Sequence, residues 1–473
     1  MVMVKGKGHR QKKERKQKVM PVNTIRLTDF LKRNIDKSIA QVYDEAALND
    51  DGSLLPFNDQ AALVTHYAQL RDDAEYARCY ERAVPVLNSW YQWIDENRRK
   101  AEAAAGDFVR ENADAFQTYL FNDLFDVPFP APQNPRFTFI DLFAGIGGFR
   151  IAMQNLGGKC VYSSEWDEQA QKTYLANYGE VPFGDITKEY TKSFIPDNFD
   201  ILCAGFPCQA FSLAGKRRGF NEARGTLFFD VAEILRRKQP KGIFLENVKG
   251  LKIHDRGRTF EVIKNTLEEV GYVIADDPWI VNAMDFGVPQ HRERVYIIGI
   301  RADIAARLGI TKEAIQRSRP NPTDQSKRFR DVKEEKEVSV KYYLSTQYIE
   351  TLRRHKARHE ARGNGFGYKI ISDDEVSNAI VVGGMGRECN LVIDDRLTDF
   401  TPITRIKGEV NREGIRRMTP REWARLQGYP DTFKIIVADA SAYKQFGNSV
   451  AVPAIQATAN ILLNFLEINH NEP

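Results

Sequence analysis

The chain has 473 residues, 42% hydrophobic and 28% charged, an ordinary globular composition with length for two or three domains. No apolar run reaches bilayer-spanning length, the basic start is not followed by an apolar signal core, and the five cysteines are scattered without disulfide or metal-ligand pairing. With a net charge of only +4, these features exclude a membrane protein, a disulfide-stapled scaffold and a globally basic nucleic-acid binder, so any basic surface is local.

Residues 1–19 hold eight Lys and Arg against one acid, Glu14, and residues 1–20 read as a disordered basic arm. Such an arm serves as a solubilising tail or contacts phosphates without sequence preference. Residues 21–135 read as a helical region and connector. Asp44–Leu48, Gln60–Val64 and Trp90–Ile94 carry apolar residues at helical spacing, and Arg98–Phe108 is rich in good helix formers. Trp90, Tyr91 and Trp93 fit core packing better than a surface patch. Pro128, Pro130, Pro132 and Pro135 then make a stiff connector and a domain boundary.

From Phe137 strands and helices alternate. Strands are expected at Phe137–Phe143, Lys159–Ser163, around Ile201–Leu202, at Gly242–Glu246 and at Val295–Ile300. Helices are expected at Phe149–Leu156, Glu168–Tyr178, Thr226–Lys238 and Thr259–Val270, and a third strand is expected to end at Asp185. This alternation predicts a doubly wound α/β domain over 136–300. The regularity is lost over 301–415, which holds short strand candidates, a basic helix around Arg353–Arg362 and two glycine clusters, Gly363–Gly367 and Gly383–Arg387. Residues 416–473 return to helix, with a Thr-Pro start at Thr419 and a further helix opening at Pro453.

Several groups in this frame carry chemistry. Phe143-Ala-Gly-Ile-Gly-Gly148 joins a strand to a helix N-terminus, where glycines let a ligand approach the backbone. Glu165 ends the next strand, where a carboxylate takes a ribose hydroxyl pair. Arg150 stands where a dinucleotide fingerprint needs its third glycine, so a nucleoside without pyrophosphate fits better than NAD. Trp166 and Phe143 suit the faces of an adenine, and Asp185 its exocyclic amine. Cys208 follows the Gly205-Phe-Pro turn at a strand end, either as a small buried hydrophobe or as a reactive thiol. Glu246 closes a buried strand, where a carboxyl holds its proton near neutrality unless it is simply a structural ion pair. Arg292 and Arg294 are spaced to face one side of a strand. His355 and His359 share a helix face among Arg and Lys, a poor metal site, and no metal is expected.

The order of Phe-Ala-Gly-Ile-Gly-Gly, Gly-Phe-Pro-Cys-Gln, Glu-Asn-Val, Gln-His-Arg-Glu-Arg and Gln445-Phe-Gly-Asn-Ser-Val450 resembles the bacterial carbon-5 cytosine DNA methyltransferases, across about 137–300 and 416–455. Ala210 departs from the proline the family commonly has there. The resemblance implies a Rossmann-like, S-adenosylmethionine-dependent methyltransferase domain, a smaller irregular target-recognition domain over 301–415 and a helical N-terminal extension. It implies Cys208 as nucleophile, Glu246 as the group on ring nitrogen 3, Arg294 on the base oxygen and Arg292 supporting the loop. Cofactor contacts are implied at Phe143, Gly145, Gly147, Glu165, Trp166, Asp185, Ile186, Leu227, Asn448 and Val450.

For target recognition the candidate is Arg387, since arginine reads guanine in the major groove, with Gly384 and Gly386 permitting close backbone approach. Other residues of Asn378–Asn390 and Arg405–Arg417 are equal alternatives. Gly363–Tyr368, Asn378–Asp394 and Thr401–Met418 resemble the HpaII-type branch, which implies the inner cytosine of CCGG in double-stranded DNA and a partner restriction endonuclease. The expected protein is a cytoplasmic monomer. The alternatives are a transfer-RNA cytosine methyltransferase, a catalytically silent DNA-binding homologue and a nucleotide-dependent oxidoreductase. The long 301–415 stretch, the intact Cys208, Glu246, Arg294 and Asn448, and Arg150 respectively weigh against them.

Overall fold

Apolar strands that alternate sides with a period of two, with both sides buried, form the centre of the molecule. The computed structural model describes residues 55–89, 126–207, 227–383, 386–403 and 406–468. The basic arm, the helical readings at Asp44–Leu48, Trp90–Ile94 and Arg98–Phe108, and Cys208, Gln209, Ala210, Gly384 and Arg405 lie outside those residues.

The strands are β1 (Phe137–Leu142), β2 (Gly158–Ser164), β3 (Ile201–Ala204), β4 (Gly242–Val248), β5 (Tyr272–Ile274), β6 (Trp279–Asn282), β7 (Gln290–His291) and β8 (Glu293–Arg301). The main sheet runs β2-β1-β3-β4-β8-β5, with β6 also paired to β8. Strands β2, β1, β3 and β4 are parallel, whereas β8 runs antiparallel to β4 and both β5 and β6 run antiparallel to β8. Ile140, Leu142, Leu202, Ile243, Leu245, Val295 and Ile297 enter one core, while Phe137, Phe139, Ile201, Cys203, Phe244, Tyr296 and Ile298 enter the other.

Helices cover both faces, as the alternation predicts. In chain order they are α1 (Phe57–Leu70), α2 (Ala74–Cys79), α3 (Gly148–Asn155), α4 (Glu168–Tyr178), α5 (Glu189–Ser193), α6 (Leu227–Lys238) and α7 (Arg258–Glu269). Then come α8 (Ala302–Leu308), α9 (Lys312–Arg317), α10 (Thr346–Glu360), α11 (Pro420–Leu426), α12 (Asp439–Asn448) and α13 (Val452–Phe465). The first core is closed by α6, α7 and residues of α1 and α2, and the second by α3, α11, α12 and α13. Helix starts follow capping chemistry. Asp167 accepts from the N–H groups of Gln169 and Ala170 at the start of α4, and Thr419 and Glu422 form a reciprocal capping box at α11.

Two expectations change. The strand expected to end at Asp185 is reduced to a single bridge between Ser164 and Phe183, flanked by the Val181 and Gly184 N–H groups, which donate to Thr65 and Asp59 of α1. The strand at Val295–Ile300 is longer and antiparallel, so its first residues lie at the edge where β4 ends.

Beyond β8, the region around α10 builds a small sheet of β9 (Ile370–Ile371), β11 (Leu391–Ile393) and β12 (Ile415–Arg417), while β10 (Ser377–Asn378) pairs with β7. Its own cores are small, one around Leu344, Ile349, Leu352, Leu391 and Ile415, the other around Val338, Tyr343, Leu397 and Val410. No helix among the described residues is long and apolar enough to cross a membrane.

Candidate active site

The carboxyl ends of β1, β3 and β4 open on one edge, and the antiparallel β8 starts there. In the β4–β8 register Val248 faces Arg294 and Glu246 faces Tyr296, so Glu246 and Arg294 are diagonal neighbours on one side of the sheet. Arg294 Nε lies 3.2 Å from Glu246 Oε1. Burial pushes the Glu246 carboxyl up from its ordinary value, and Arg294 and Arg292 oppose that rise. A carboxyl balanced in this way can donate a proton or a hydrogen bond while a cation stands beside it.

The turn leading to Cys208 is fixed from the same strand. Asn247 Nδ2 donates to the Phe206 carbonyl at 2.9 Å, while its Oδ1 accepts from the Val248 N–H. A Cβ at Gly205 would sit 3.6 Å from Glu246 Oε2, 3.6 Å from the Phe149 ring and 4.0 Å from Val450. Glu246, the glycine-turn helix and the Val450 segment therefore converge on the start of the Gly-Phe-Pro turn.

Arg292 is set deeper than Arg294, and both lie close enough to Glu246 to act on its charge. Arg292 sits between β7 and β8, 2% exposed, and donates to three backbone carbonyls. These are Ile380 at 2.9 Å, Gly447 at 3.2 Å and Ser449 at 2.6 Å. Burial and the nearby Arg294 guanidinium push it down to about 9. It is a positioning residue that ties the region after β8 to the backbone around Asn448.

At the glycine turn, Gly145 and Gly147 both have positive φ, 56° and 83°. A Cβ on Gly147 would run into the Tyr178 ring, whereas a Cβ on Gly145 would meet nothing within 4 Å. Glu165 spans the turn, with Oε2 accepting from the Gly145 N–H and Oε1 from the Asp167 N–H, both at 2.8 Å. Phe143 is half-buried with φ 58°, and the Trp166 indole is 78% exposed beside Glu165. Asp185 is half-buried and Ile186 buried after the Phe183 bridge, while Asp185 caps its own turn by accepting from the Thr187 N–H. Leu227 opens α6 half-buried, Asn448 ends α12 exposed, and Val450 packs against Gly148.

The C-5 cytosine-specific DNA methylase family model matches residues 137–464. The chain belongs to that family. Type II methyltransferase M.HpaII of Haemophilus parainfluenzae is 68% identical to this methylase over 343 residues, covering 72% of this chain and 93% of the relative. Type II methyltransferase M.HhaI of Haemophilus parahaemolyticus is 41% identical over 330 residues, covering 68% of this chain and 92% of the relative. The crystal structure of S. pombe Dnmt2 methyltransferase matches with a TM-score of 0.50 at 19% identity, over 69% of this chain and 98% of that one, which shows a shared fold.

Within the methylase two further residues emerge that composition and spacing did not single out. Asp141, in β1 just before the glycine turn, is fully buried, and neither carboxylate oxygen receives a well-formed hydrogen bond. Burial pushes it up to about 8 against the pull of the Arg150 guanidinium. Its signal is an acid inside an otherwise apolar strand. Asn247 is the other, an amide in a strand ending whose buried setting demands a partner.

The recognition candidates are divided by the structure. Arg387 is exposed, with its guanidinium 5.4 Å from the centre of the Tyr443 ring, and Gly386 packs so tightly against Val381 that no Cβ fits. Asn378 and Asn390 are spent on each other and on the Cys389 carbonyl. Arg416 is fully buried in ion pairs with Asp394 and Glu422, and Arg417 pairs with Glu388. Arg416 is thereby removed from the base-contact candidates. The His355 and His359 rings lie 4.5 Å apart, and no group of three or more possible metal ligands occurs among the described residues.

Proposed function

We propose that this methylase transfers a methyl group from S-adenosylmethionine to carbon 5 of the inner cytosine of CCGG in double-stranded DNA, as the modification partner of a restriction endonuclease. The observation that carries the chemistry is the Glu246–Arg294 pair at 3.2 Å, at the strand edge where Asn247 anchors the turn that precedes Cys208. The 68% identity to M.HpaII over 343 residues supports the choice of site.

Carbon 5 of cytosine is a poor nucleophile. The Cys208 thiolate adds to carbon 6, and the ring electrons move toward carbon 5 and nitrogen 3. Glu246 delivers a proton or hydrogen bond at nitrogen 3 as charge builds there, which its raised proton affinity favours. Arg294 holds the base oxygen and keeps Glu246 from drifting into a fully neutral, unpartnered state. When bound, S-adenosylmethionine supplies the methyl group as an electrophile for carbon 5. Loss of the carbon-5 proton to a base and β-elimination then break the carbon–sulfur bond and free Cys208. Because the thiolate approaches the ring face, the cytosine must leave the helix stack.

The residues at the glycine turn fit the cofactor. The open space beside Gly145, the Glu165 carboxylate across it and the exposed Trp166 indole suit a nucleoside. The Asp141 carboxyl, without a well-formed hydrogen bond, suits a cationic group such as the cofactor's ammonium. Phe143, Gly147, Asp185, Ile186, Leu227, Asn448 and Val450 complete the proposed pocket.

Plasmid grown with the active protein is expected to resist an endonuclease that CCGG methylation blocks, and plasmid grown with Cys208→Ser is expected to be cut. Full cutting with the active protein would reject the site assignment. Normal methylation by Cys208→Ser would reject the thiolate step.

A further inference from the structure

The segment ahead of the family match, which begins at residue 137, is built into the edge of the sheet beside the cofactor turns. Asp59 in α1 is 2% exposed. Its Oδ1 accepts from the Gly184 N–H at 2.7 Å and its Oδ2 from the Tyr190 hydroxyl at 3.2 Å. Gly184 directly precedes Asp185. The neighbouring Asn58 donates to Gln171 Oε1 at 2.8 Å, and the Gln171 amide donates to the Glu165 carbonyl at 2.6 Å and the Pro182 carbonyl at 3.2 Å. About two turns further along α1, the Val181 N–H donates to Thr65 Oγ1 at 3.0 Å and the Ser163 N–H to His66 Nε2 at 3.3 Å. Most of these bonds end on the backbone between Ser163 and Tyr190, directly or through Gln171.

We propose that α1 is a positioning element for cofactor binding, in which Asp59 holds the turn carrying Asp185 and Asn58, through Gln171, holds the turn carrying Glu165. The cost of keeping a carboxylate there argues against filler. Burial pushes Asp59 up to about 6, and an apolar residue would avoid that penalty while losing only the bonds to Gly184 and Tyr190. The loop from Phe183 to Thr187 meets β2 only through the Ser164–Phe183 bridge and is otherwise closed by its own Asp185 turn, so the Asp59 bond to Gly184 is a further tie between it and the rest of the fold. The proposal rests on the reading of Glu165 and Asp185 as cofactor contacts.

The test uses the full-length protein and S-adenosylmethionine, with calorimetric affinity measured for cofactor and for a CCGG duplex, and KM and kcat measured alongside. Asp59→Ala is expected to raise the cofactor Kd and KM about 5- to 20-fold, with kcat at saturating cofactor within about twofold and duplex affinity unchanged. Asp59→Asn, whose amide oxygen still accepts from Gly184, is expected to recover most of the loss. Asn58→Ala is expected to shift cofactor affinity in the same direction by a smaller factor, and it supplies the reading should Asp59→Ala not fold. Unchanged cofactor affinity in Asp59→Ala, or in Asn58→Ala where it alone folds, overturns the proposal. So does a fall of kcat and duplex affinity in step with cofactor affinity. Asp185→Ala separates the two readings. Wild-type cofactor affinity in that variant rejects the pocket itself, whereas weakened affinity there with normal affinity in Asp59→Ala rejects only the role of α1.

Discussion

Asp141 shows how one side chain can be both a cost to the fold and a candidate handle for the cofactor. Its carboxyl lies in β1 without a well-formed hydrogen bond and is pushed up to about 8 by burial, with the Glu165 and Glu180 carboxylates adding to the rise and Arg150 opposing it. Between its ordinary value of 3.8 and about 8, the folded protein keeps a proton that the unfolded chain releases. The native state then binds more protons than the unfolded state, so this group makes stability fall as pH rises through that window and level off above it. The slope is at most about 1.4 kcal/mol per pH unit. Asp141→Asn cannot ionise and lacks it. In the cofactor-free protein, the melting temperature of Asp141→Asn relative to the parent is therefore expected to climb between pH 5 and pH 8. Parallel pH–melting curves would mean that Asp141 is ionised in the native state throughout.

At the scale of elements, Arg416 in β12 binds the region after β8 to α11. Its guanidinium meets Asp394 at 2.9 Å and both oxygens of Glu422 at 2.7 and 2.8 Å, with all three side chains buried. Against the burial that raises it, Arg396 and Arg416 hold Asp394 down at about 2. Arg416→Ala leaves the buried Glu422 carboxylate without its guanidinium and Asp394 with Arg396 alone, and is expected to cost about 3–5 kcal/mol in a denaturant titration. Arg387→Ala, in contrast, is expected to weaken duplex binding with stability unchanged. A stable Arg416→Ala with weakened DNA binding would return Arg416 to the base-contact candidates. The same elements show what a one-dimensional reading can reach. Strands β1, β3 and β4 were legible because their apolar residues alternate between two buried faces, and α4 because it is bracketed by Asp167 and Gly179. The direction of β8 was not legible, since an antiparallel and a parallel strand carry the same alternation. That direction is what brings Arg294 to Glu246. The partners of Arg292 were not legible for a different reason: they are the backbone carbonyls of Ile380, Gly447 and Ser449, which no side-chain pattern marks. Arg416 and Arg417 fell within the alternative base-contact stretch because acidic partners of each lie up to 29 residues away, beyond the reach of a local pattern.

At the scale of the whole molecule, the first core has no boundary at the proline connector. Leu55, Ala62, Leu63, Tyr80 and Ala83 are fully buried in the same cluster as Ile140, Leu142 and Val161. Phe129, within the connector, packs against the Tyr178 and Phe433 rings, and its N–H donates to the Asn177 carbonyl at 3.1 Å. The edge strand β2 is covered on this face by α1, with the His66 ring set among Tyr80, Tyr162 and Phe183. Burial favours the neutral imidazole there, with Nδ1–H donating to the Ala62 carbonyl at 2.8 Å. A fully buried Leu or Val contributes about 1.5–3 kcal/mol, so the several that α1 and its neighbours supply exceed the margin by which most domains are folded. Removal of residues 1–54 is therefore expected to leave a folded, cofactor-binding enzyme. Removal of residues 1–89 strips Leu55, Leu63, Tyr80 and Val86 from the core and uncovers β2. That protein is expected to aggregate on expression or to lose cooperative melting, although it retains every residue of the 137–464 family match. If the 90–473 protein melts cooperatively within a few degrees of the full chain, α1 is an appendage and the core closes without it.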